Sequence, residues 1–213
     1  MMKTLIVGSG SLTDTEFLKK KYEWADLVIA ADGGSLYLVD AGLEPHILLG
    51  DFDSLPDPVL QKFRRNDNIE IVEFQPEKDY TDIELAISFA LERGATNISI
   101  VGACGTRLDH TVANIHLLYK IIKSGAKGCI EDENNQIFLI DNSITLYKRD
   151  KFKVSLVPLP PYVKGITTTG LSYPLTDETF VFGIGRGISN EFAGEMATVS
   201  IKEGLLLVFV SKD

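Results

Sequence analysis

Residues 98–123 decide the fold class, and they read ISIVGACGTRLDHTVANIHLLYKIIK. The apolar run Ile98–Gly102 is typical of a buried strand in a parallel sheet. Between His110 and Lys123, apolar residues recur at three- and four-residue steps, which gives a helix one apolar face. A strand, a glycine-containing loop and a helix in this order form the repeating unit of an α/β domain.

Strand-like and helix-like runs alternate in the same way from the N-terminus to about residue 132. Short apolar runs predict further strands at Leu5–Gly8, Leu27–Ala31, Ile47–Leu49, Ile69–Phe74 and Lys127–Ile130. Amphipathic stretches predict helices at Asp14–Tyr22, Ser35–Ala41, Pro58–Arg65 and Thr81–Arg93. We therefore expect an α/β domain over residues 1–132, with a mostly parallel sheet flanked by helices.

Residues 133–213 have a different pattern, without a helical period. Turn residues separate short strand-like runs at Gln136–Ile140, Ile144–Tyr147, Phe152–Val157, Thr179–Phe182, Met196–Ile201 and Leu205–Val210. This pattern predicts an all-β sandwich as a second, C-terminal domain.

The charge and composition exclude several classes of partner. The chain carries 21 lysines and arginines against 30 aspartates and glutamates, a formal charge of −9. This balance repels nucleic acid, and no apolar run reaches the roughly 18 residues of a membrane span. Cys104 and Cys129 lack metal-binding spacing and lie in or beside strand-like runs, so we expect buried thiols and a cytoplasmic protein.

The first chemical signal is Gly50-Asp51-Phe52-Asp53-Ser54, directly after a predicted strand. In an extended chain, Asp51 and Asp53 would project to the same side. Two neighbouring carboxylates repel each other, and a divalent cation removes that repulsion. A polar turn in which Asp53 caps the next helix would explain the same residues.

The second signal is the segment Glu77–Asp82. Thr81 and Glu84 have the spacing of a capping box, so Thr81 is expected to be a helix N-cap. Lys78, Asp79 and Asp82 crowd the same helix N-terminus, where backbone amides favour phosphate. Mixed charge there suits a metal–polyphosphate complex, with Asp82 on the metal and Lys78 on a phosphate oxygen.

The third signal is the loop Gly102–His110 between a strand and a helix. Its glycines allow a ligand close to the backbone, and Arg107 offers a planar fork that suits phosphate oxygens. Asp109 could equally be the helix N-cap, and no catalytic part is expected of His110.

Two weaker signals complete a set of strand-end loops. Gly8-Ser9-Gly10 follows the first predicted strand, and Asp32-Gly33-Gly34-Ser35 follows the second. Neither is a nucleotide-binding motif alone. Several glycine- and aspartate-rich loops at one edge of a parallel sheet, however, predict a ligand site there.

Together these motifs resemble those of the thiamine pyrophosphokinase family. The matching stretches are Ala31–Gly34, Gly50–Ser54, Lys78–Asp82 and Gly102-x-x-Gly105-x-Arg107-x-Asp109-His110. The segments Gly170–Leu175 and Gly187–Phe192 look like the family's acceptor-side motifs. The likeness covers essentially the whole chain, since the family also joins an α/β domain to a β-sandwich.

The resemblance implies transfer of the diphosphate of ATP to the thiamine hydroxyl, with Mg²⁺, in a homodimer. Residues 1–132 would be the nucleotide-binding catalytic domain, and residues 133–213 the thiamine-binding and dimerisation domain. Thiamine would lie between one subunit's α/β domain and its partner's sandwich.

The resemblance also implies roles for individual residues. Asp51, Asp53 and Asp82 would be catalytic metal ligands, together with catalytic Arg107. The nucleotide contacts would be Asp32, Gly33, Lys78, Asp79, Thr81 and Asp109. Thiamine would meet Ser189, Asn190 and Tyr173, which stands where some members have a tryptophan.

Three other functions fit parts of the sequence. The same catalytic domain could act on another alcohol, such as a hydroxymethylpterin. The Asp51-x-Asp53 pair also suits a nucleotide-sugar glycosyltransferase. A non-catalytic nucleotide-binding protein would bind ATP and release no AMP.

Overall fold

A computed structural model describes residues 1–75 and 79–213 of the chain. The chain forms two compact units, Met1–Glu133 and Asn134–Asp213. The boundary predicted from the sequence lies one residue earlier, between Asp132 and Glu133.

The first unit is built on a parallel sheet. Its strands are β1 Met2–Val7, β2 Leu27–Ala31, β3 Ile47–Gly50, β4 Glu70–Glu73, β5 Ala95–Val101 and β6 Lys127–Glu131. They lie in the order β6-β5-β1-β2-β3-β4, and every neighbouring pair is parallel. The central strands are buried on both faces, which explains why they are continuous apolar runs.

Helices connect these strands, as predicted. Their bounds are α1 Thr15–Trp24, α2 Gly34–Asp40, α3 Asp57–Arg64, α4 Asp82–Glu92 and α5 Leu108–Lys123. Asp14 caps α1 by accepting a hydrogen bond from the Phe17 amide, and Thr81 caps α4 through the Glu84 amide. No helix within the described residues has the length and apolar character needed to cross a membrane.

The order of the strands places a crevice between β1 and β5. After β1 the chain continues to β2 on one side, whereas after β5 it continues to β6 on the other. Connections that diverge in this way leave a crevice at the carboxyl ends of the two strands, where open α/β sheets bind their ligands.

The second unit is a sandwich of antiparallel strands. These are β7 Asn135–Ile140, β8 Ser143–Tyr147, β9 Lys153–Pro158, β10 Tyr162–Thr169, β11 Glu178–Val181, β12 Asn190–Glu191, β13 Met196–Ser200 and β14 Leu206–Ser211. One sheet has the order β12-β9-β14-β7 and the other β11-β10-β13-β8. A buried apolar cluster that includes Val154, Val163, Phe180 and Val208 forms its core. The predicted fold class is confirmed.

Strand β10 is the main element that the sequence did not reveal. Its pairing with β11 changes register between Val163 and Ile166. Gly165 lies inside this irregularity with a φ of +70°, in the left-handed region that favours glycine. The bulge breaks the alternation of buried and exposed residues by which strands are recognised in a sequence.

Candidate active site

A cleft of about 540 Å³ opens at the carboxyl ends of β1 and β5, in the first unit. Its walls are the loops that follow these two strands and the first turns of α4 and α5. The lining residues include Ser9, Gly10, Tyr37, Thr81, Asp82, Cys104, Arg107, His110 and Asn114. The cleft therefore occupies the crevice that the strand order creates.

The floor of the cleft is backbone packed against backbone. The amide of Gly8 donates to the Val101 carbonyl, and the amide of Gly10 donates to the Gly102 carbonyl, at 2.8 and 2.7 Å. A Cβ atom added to Gly102 would lie 2.2 Å from the Gly8 oxygen, and one added to Gly10 would lie 2.4 Å from the Cys104 oxygen. These distances leave no room for any side chain, so the glycines are required for the close approach.

Side chains of α5 fasten the loop that follows β5. Asn114 is buried and donates from Nδ2 to the Ala103 carbonyl at 2.7 Å. Thr111 Oγ1 accepts from the amide of Gly105 at 3.2 Å. These bonds give the glycine-containing loop one fixed conformation at the cleft.

The carboxylates of Asp32, Asp51 and Asp53 form a cluster, referred to below as the acidic triad. Each contributes one oxygen, and these oxygens lie within 4.8 Å of one another. Asp32 directly follows β2, and Asp51 directly follows β3. Because β2 and β3 are neighbours in the sheet, their ends bring the three side chains together.

A turn, not an extended strand, brings Asp51 and Asp53 together. Phe52 has a left-handed φ of +62°, and its side chain is buried in the apolar core. The sequence argument from an extended chain was therefore wrong in its geometry, although the two carboxylates do meet. The alternative role for Asp53 as a helix cap is also wrong, because α3 begins at Asp57 with Pro56 as its N-cap.

Asp32 is the buried member of the triad. It is 8 % exposed, and it has a left-handed φ of +46°. Its Oδ2 accepts a hydrogen bond of 2.5 Å from Ser54 Oγ, while its buried Oδ1 has no hydrogen-bond partner among the residues that the structure describes. A buried carboxylate oxygen without a partner is unfavourable unless a cation or a donor satisfies it. Oxygen ligands of this kind are those that Mg²⁺ prefers.

The electrostatics of the triad also favour a cation. The neighbouring Asp51 carboxylate raises the pKa of Asp53 above its ordinary value of 3.8, with smaller contributions from desolvation, Asp32 and Asp82. Asp82 lies on the cleft wall at the start of α4, outside the 4.8 Å group. Of the three predicted metal ligands, the structure thus brings Asp51 and Asp53 together with Asp32, which was expected as a nucleotide contact, and leaves Asp82 outside this group.

The loop before α4 supplies the next predicted residues. Thr81 is the N-cap of α4, as predicted, and it also lines the cleft. Asp79 is exposed on the preceding turn. Lys78 lies outside the described residues, so its expected contact with phosphate stays a prediction.

Arg107 and Asp109 form an ion pair at the edge of the cleft. Arg107 donates from Nη2 to Asp109 Oδ2 at 2.6 Å and from Nε to Oδ1 at 3.3 Å. This bond raises the pKa of Arg107 and lowers that of Asp109. Asp109 is not the helix N-cap, since that position belongs to Arg107, whose side chain makes no capping bond. Asp109 instead orients the guanidinium of Arg107.

The two cysteines are free thiols of intermediate exposure, so the prediction that both are buried was wrong. Burial raises the pKa of Cys104, on the cleft wall, to about 11. Cys104 is therefore a neutral thiol at neutral pH, and it is not a nucleophile.

The predicted thiamine contacts lie in the second unit. Tyr173 is 71 % exposed, and Ser189 is exposed with a left-handed φ of +61°. Asn190, in contrast, is 8 % exposed. The three residues are close in space, because Asn190 is hydrogen-bonded to the backbone of Tyr173.

Comparison with known proteins agrees with this arrangement. Residues 18–130 match the family model described as "Thiamin pyrophosphokinase, catalytic domain", and residues 141–206 match "Thiamin pyrophosphokinase, vitamin B1 binding domain". The chain belongs to the thiamine pyrophosphokinase family. The predicted family and its function are confirmed, and membership makes the chain a diphosphotransferase.

Individual members of the family are similar over most of the chain. The thiamine pyrophosphokinase of Bacillus subtilis is 35 % identical over 189 residues, which are 88 % of each protein. The crystal structure of thiamine pyrophosphokinase from Bacillus subtilis superimposes with a TM-score of 0.89 at 30 % identity, over 99 % of both chains. That of the enzyme from Geobacillus thermodenitrificans gives 0.86 at 33 % identity, over 100 % of this chain and 98 % of the other.

Proposed function

We propose that the chain transfers the diphosphate group of ATP to the hydroxyl of thiamine, which yields thiamine diphosphate and AMP. The observation that carries the proposal is the acidic triad, with its unpartnered Asp32 oxygen, in the same unit as a cleft lined by glycine loops. Carboxylates that repel each other beside such a cleft suit a metal-bound polyphosphate.

The cleft has the size and chemistry of a nucleotide site. A volume of about 540 Å³ is within the usual range for small-molecule pockets, about 300–1,000 Å³. The first turns of α4 and α5 border it, and amides at helix N-termini favour phosphate. Arg107 adds a charged donor that Asp109 holds in place.

Asp32, Asp51 and Asp53 would hold Mg²⁺, and Asp82 would contribute its charge at greater distance. Mg²⁺ bound there would neutralise the migrating diphosphate. The side chains fit this ion because Asp32 offers a buried oxygen that no donor in residues 1–75 and 79–213 satisfies. Asp51 is half-buried and Asp53 is exposed, so the carboxylates of both are accessible to a ligand.

The reaction forms one bond and breaks one. The thiamine oxygen bonds to the β-phosphorus of ATP while the bond from that phosphorus to the bridging oxygen of AMP breaks, and the hydroxyl proton is released. Transfers of this kind depend mostly on positioning and charge stabilisation. Arg107 supplies a fixed positive charge, and Asp109 is a poor general base because Arg107 lowers its pKa.

The proposal is tested by incubating the purified chain with ATP, Mg²⁺ and thiamine. We expect AMP and thiamine diphosphate in equal amounts, and no AMP when a hydroxymethylpterin replaces thiamine. Asp51→Asn is the matched control for a contaminating enzyme. Binding of ATP without release of AMP would contradict the proposal and favour a nucleotide-binding protein without catalysis.

A homodimer that shares its active sites, with thiamine held by Tyr173 and Ser189 of the partner, is a further part of this proposal, as is a cytoplasmic location. Co-expression of Asp51→Asn with Tyr173→Ala tests the sharing. Random pairing makes about half of the dimers mixed, and in each mixed dimer one of the two sites would combine two intact halves. About a quarter of the wild-type activity should therefore return at low thiamine. Activity no higher than that of the single variants would contradict shared sites.

A further inference from the structure

The side chain of Asn190 completes a hydrogen-bonded segment around Tyr173. Its Oδ1 accepts from the amide of Tyr173 at 3.0 Å, and its Nδ2 donates to the carbonyl of Tyr173 at 2.7 Å. These are the two bonds that a facing residue of an antiparallel strand exchanges through its backbone. The amide side chain of Asn190 thus takes the place of a strand neighbour for Tyr173.

The surrounding backbone continues this pairing. The amide of Ser172 donates to the Glu191 carbonyl at 2.8 Å, and the amide of Ala193 donates to the Gly170 carbonyl at 2.9 Å. Leu171 and Phe192 form an antiparallel bridge between these bonds. Residues 170–173 and 190–193 are therefore one paired segment, and Asn190 extends it to Tyr173.

The donors and acceptors of Asn190 are almost fully used within the second unit. Its Oδ1 also accepts from the amide of Glu191 at 2.9 Å, which occupies both lone pairs of that oxygen. The residue is only 8 % exposed, whereas Tyr173 beside it is 71 % exposed. A ligand at this surface can therefore reach the ring of Tyr173, but it finds Oδ1 of the Asn190 side chain already occupied.

We infer that Asn190 is a positioning residue, which acts on thiamine through Tyr173 and does not bind thiamine itself. This inference rests on the proposed function. Tyr173 can present its π-face to the cationic thiazolium ring, and that attraction depends on where the ring stands. Fixing the backbone at Tyr173 in the free protein reduces the ordering that binding would otherwise require.

A double-mutant cycle between Asn190 and Tyr173 tests the inference. We expect Asn190→Ala to raise the KM for thiamine by about 3- to 10-fold, the equivalent of one or two ordinary hydrogen bonds, with the KM for ATP unchanged. In the Tyr173→Ala background, the same substitution should have less than about a twofold effect, because its route to thiamine is already lost. Effects that multiply in the double variant would overturn the inference, as would a Tyr173→Ala variant with the wild-type KM.

Asn190→Asp keeps the size and both acceptor bonds, but it replaces the donor to the Tyr173 carbonyl by a carboxylate oxygen, which repels that carbonyl. It should raise the KM for thiamine at least as much as Asn190→Ala does. It also carries the same cycle if Asn190→Ala does not fold, which circular dichroism would reveal.

Amide hydrogen exchange at Tyr173 gives a readout that does not depend on catalysis. In Asn190→Ala, without substrates, the Tyr173 amide should exchange faster, because the bond that protects it is absent. Ser189→Ala is the matched control, because it changes an exposed neighbour and should leave this exchange rate unchanged. An unaltered exchange rate of the Tyr173 amide in Asn190→Ala would overturn the positioning role. Failure of the wild type to form thiamine diphosphate would instead contradict the proposed function, and the exchange measurement would still report whether Asn190 holds Tyr173.

Discussion

The acidic triad and the paired segment of residues 170–173 and 190–193 each contain a buried polar side chain, but the protein satisfies the hydrogen-bonding groups of these two side chains to different extents. In the triad, three carboxylates repel one another, and Asp32 keeps a buried oxygen without a partner in the described part of the chain. Around Asn190, both lone pairs of Oδ1 and one Nδ2 hydrogen are satisfied by the protein itself. Groups left unsatisfied by the fold are available to a ligand, whereas satisfied groups serve the fold. Burial alone does not separate them, since Asp32 and Asn190 are equally exposed at 8 %.

The largest expected effect is on turnover when the triad loses a charge. Asp51→Asn should lower kcat by more than about 100-fold, because metal-based charge stabilisation is worth several kcal/mol. Its melting temperature should not fall, since one of the repelling charges is gone. Thiamine-dependent release of AMP and thermal unfolding measure the two properties. Wild-type turnover in Asp51→Asn at saturating Mg²⁺ would refute the metal assignment. Because Asp82 lies outside the triad, Asp82→Asn should lower kcat less than Asp51→Asn does.

A smaller effect, on metal binding, is expected from Ser54, which hydrogen-bonds to only one of the two carboxylate oxygens of Asp32. Its hydroxyl satisfies Oδ2 of Asp32 and leaves Oδ1 to a cation. Ser54→Ala should weaken Mn²⁺ binding by about 10- to 100-fold, as is usual for partners of metal ligands. Electron paramagnetic resonance of free Mn²⁺ measures this without catalysis. Ser54→Thr keeps the hydroxyl and should bind Mn²⁺ as the wild type does. If Ser54→Ala also binds Mn²⁺ as tightly as the wild type, Asp32 does not need this hydrogen bond to hold the metal.

The third effect is a loss of stability at Asn190. Asn190→Ala removes the partners of two amides and one carbonyl, so the free energy of unfolding should fall by about 1–3 kcal/mol. Urea unfolding, monitored by circular dichroism, measures it. If Asn190→Ala is as stable as the wild type, the hydrogen bonds of Asn190 do not serve the fold, and the contrast with the unsatisfied oxygen of Asp32 is lost.

The smallest effect has the opposite sign, at Asp53. Its pKa is raised in the folded chain, so its charged form destabilises the metal-free protein at neutral pH. Asp53→Asn should therefore unfold at a higher temperature than the wild type at pH 7 in EDTA. This difference should shrink as the pH falls through the raised pKa towards 3.8, since both side chains are then neutral. A lower melting temperature for Asp53→Asn would mean that another interaction outweighs the repulsion.

The sequence predicted the α/β and β units and most strand-end loops, because buried strands and amphipathic helices leave regular patterns. It could not show that Asp32 joins Asp51 and Asp53, because that depends on β2 and β3 being neighbours in the sheet. The family resemblance assigned Asn190 to thiamine, and a single polar letter does not reveal that the side chain is hydrogen-bonded to the backbone of Tyr173. Strand β10 was missed because the bulge at Gly165 disturbs its alternation.

The backbone contacts among Gly8, Gly10 and Gly102 restrict how this site can change during evolution. A methyl group at Gly102 or Gly10 would meet a carbonyl oxygen at 2.2 or 2.4 Å, so a single codon change there must also displace a neighbouring chain. Gradual reshaping of the pocket is open at lining positions that carry a side chain, such as Thr106 and His110. A library that seeks a new phosphate donor should vary those positions and leave the glycines unchanged.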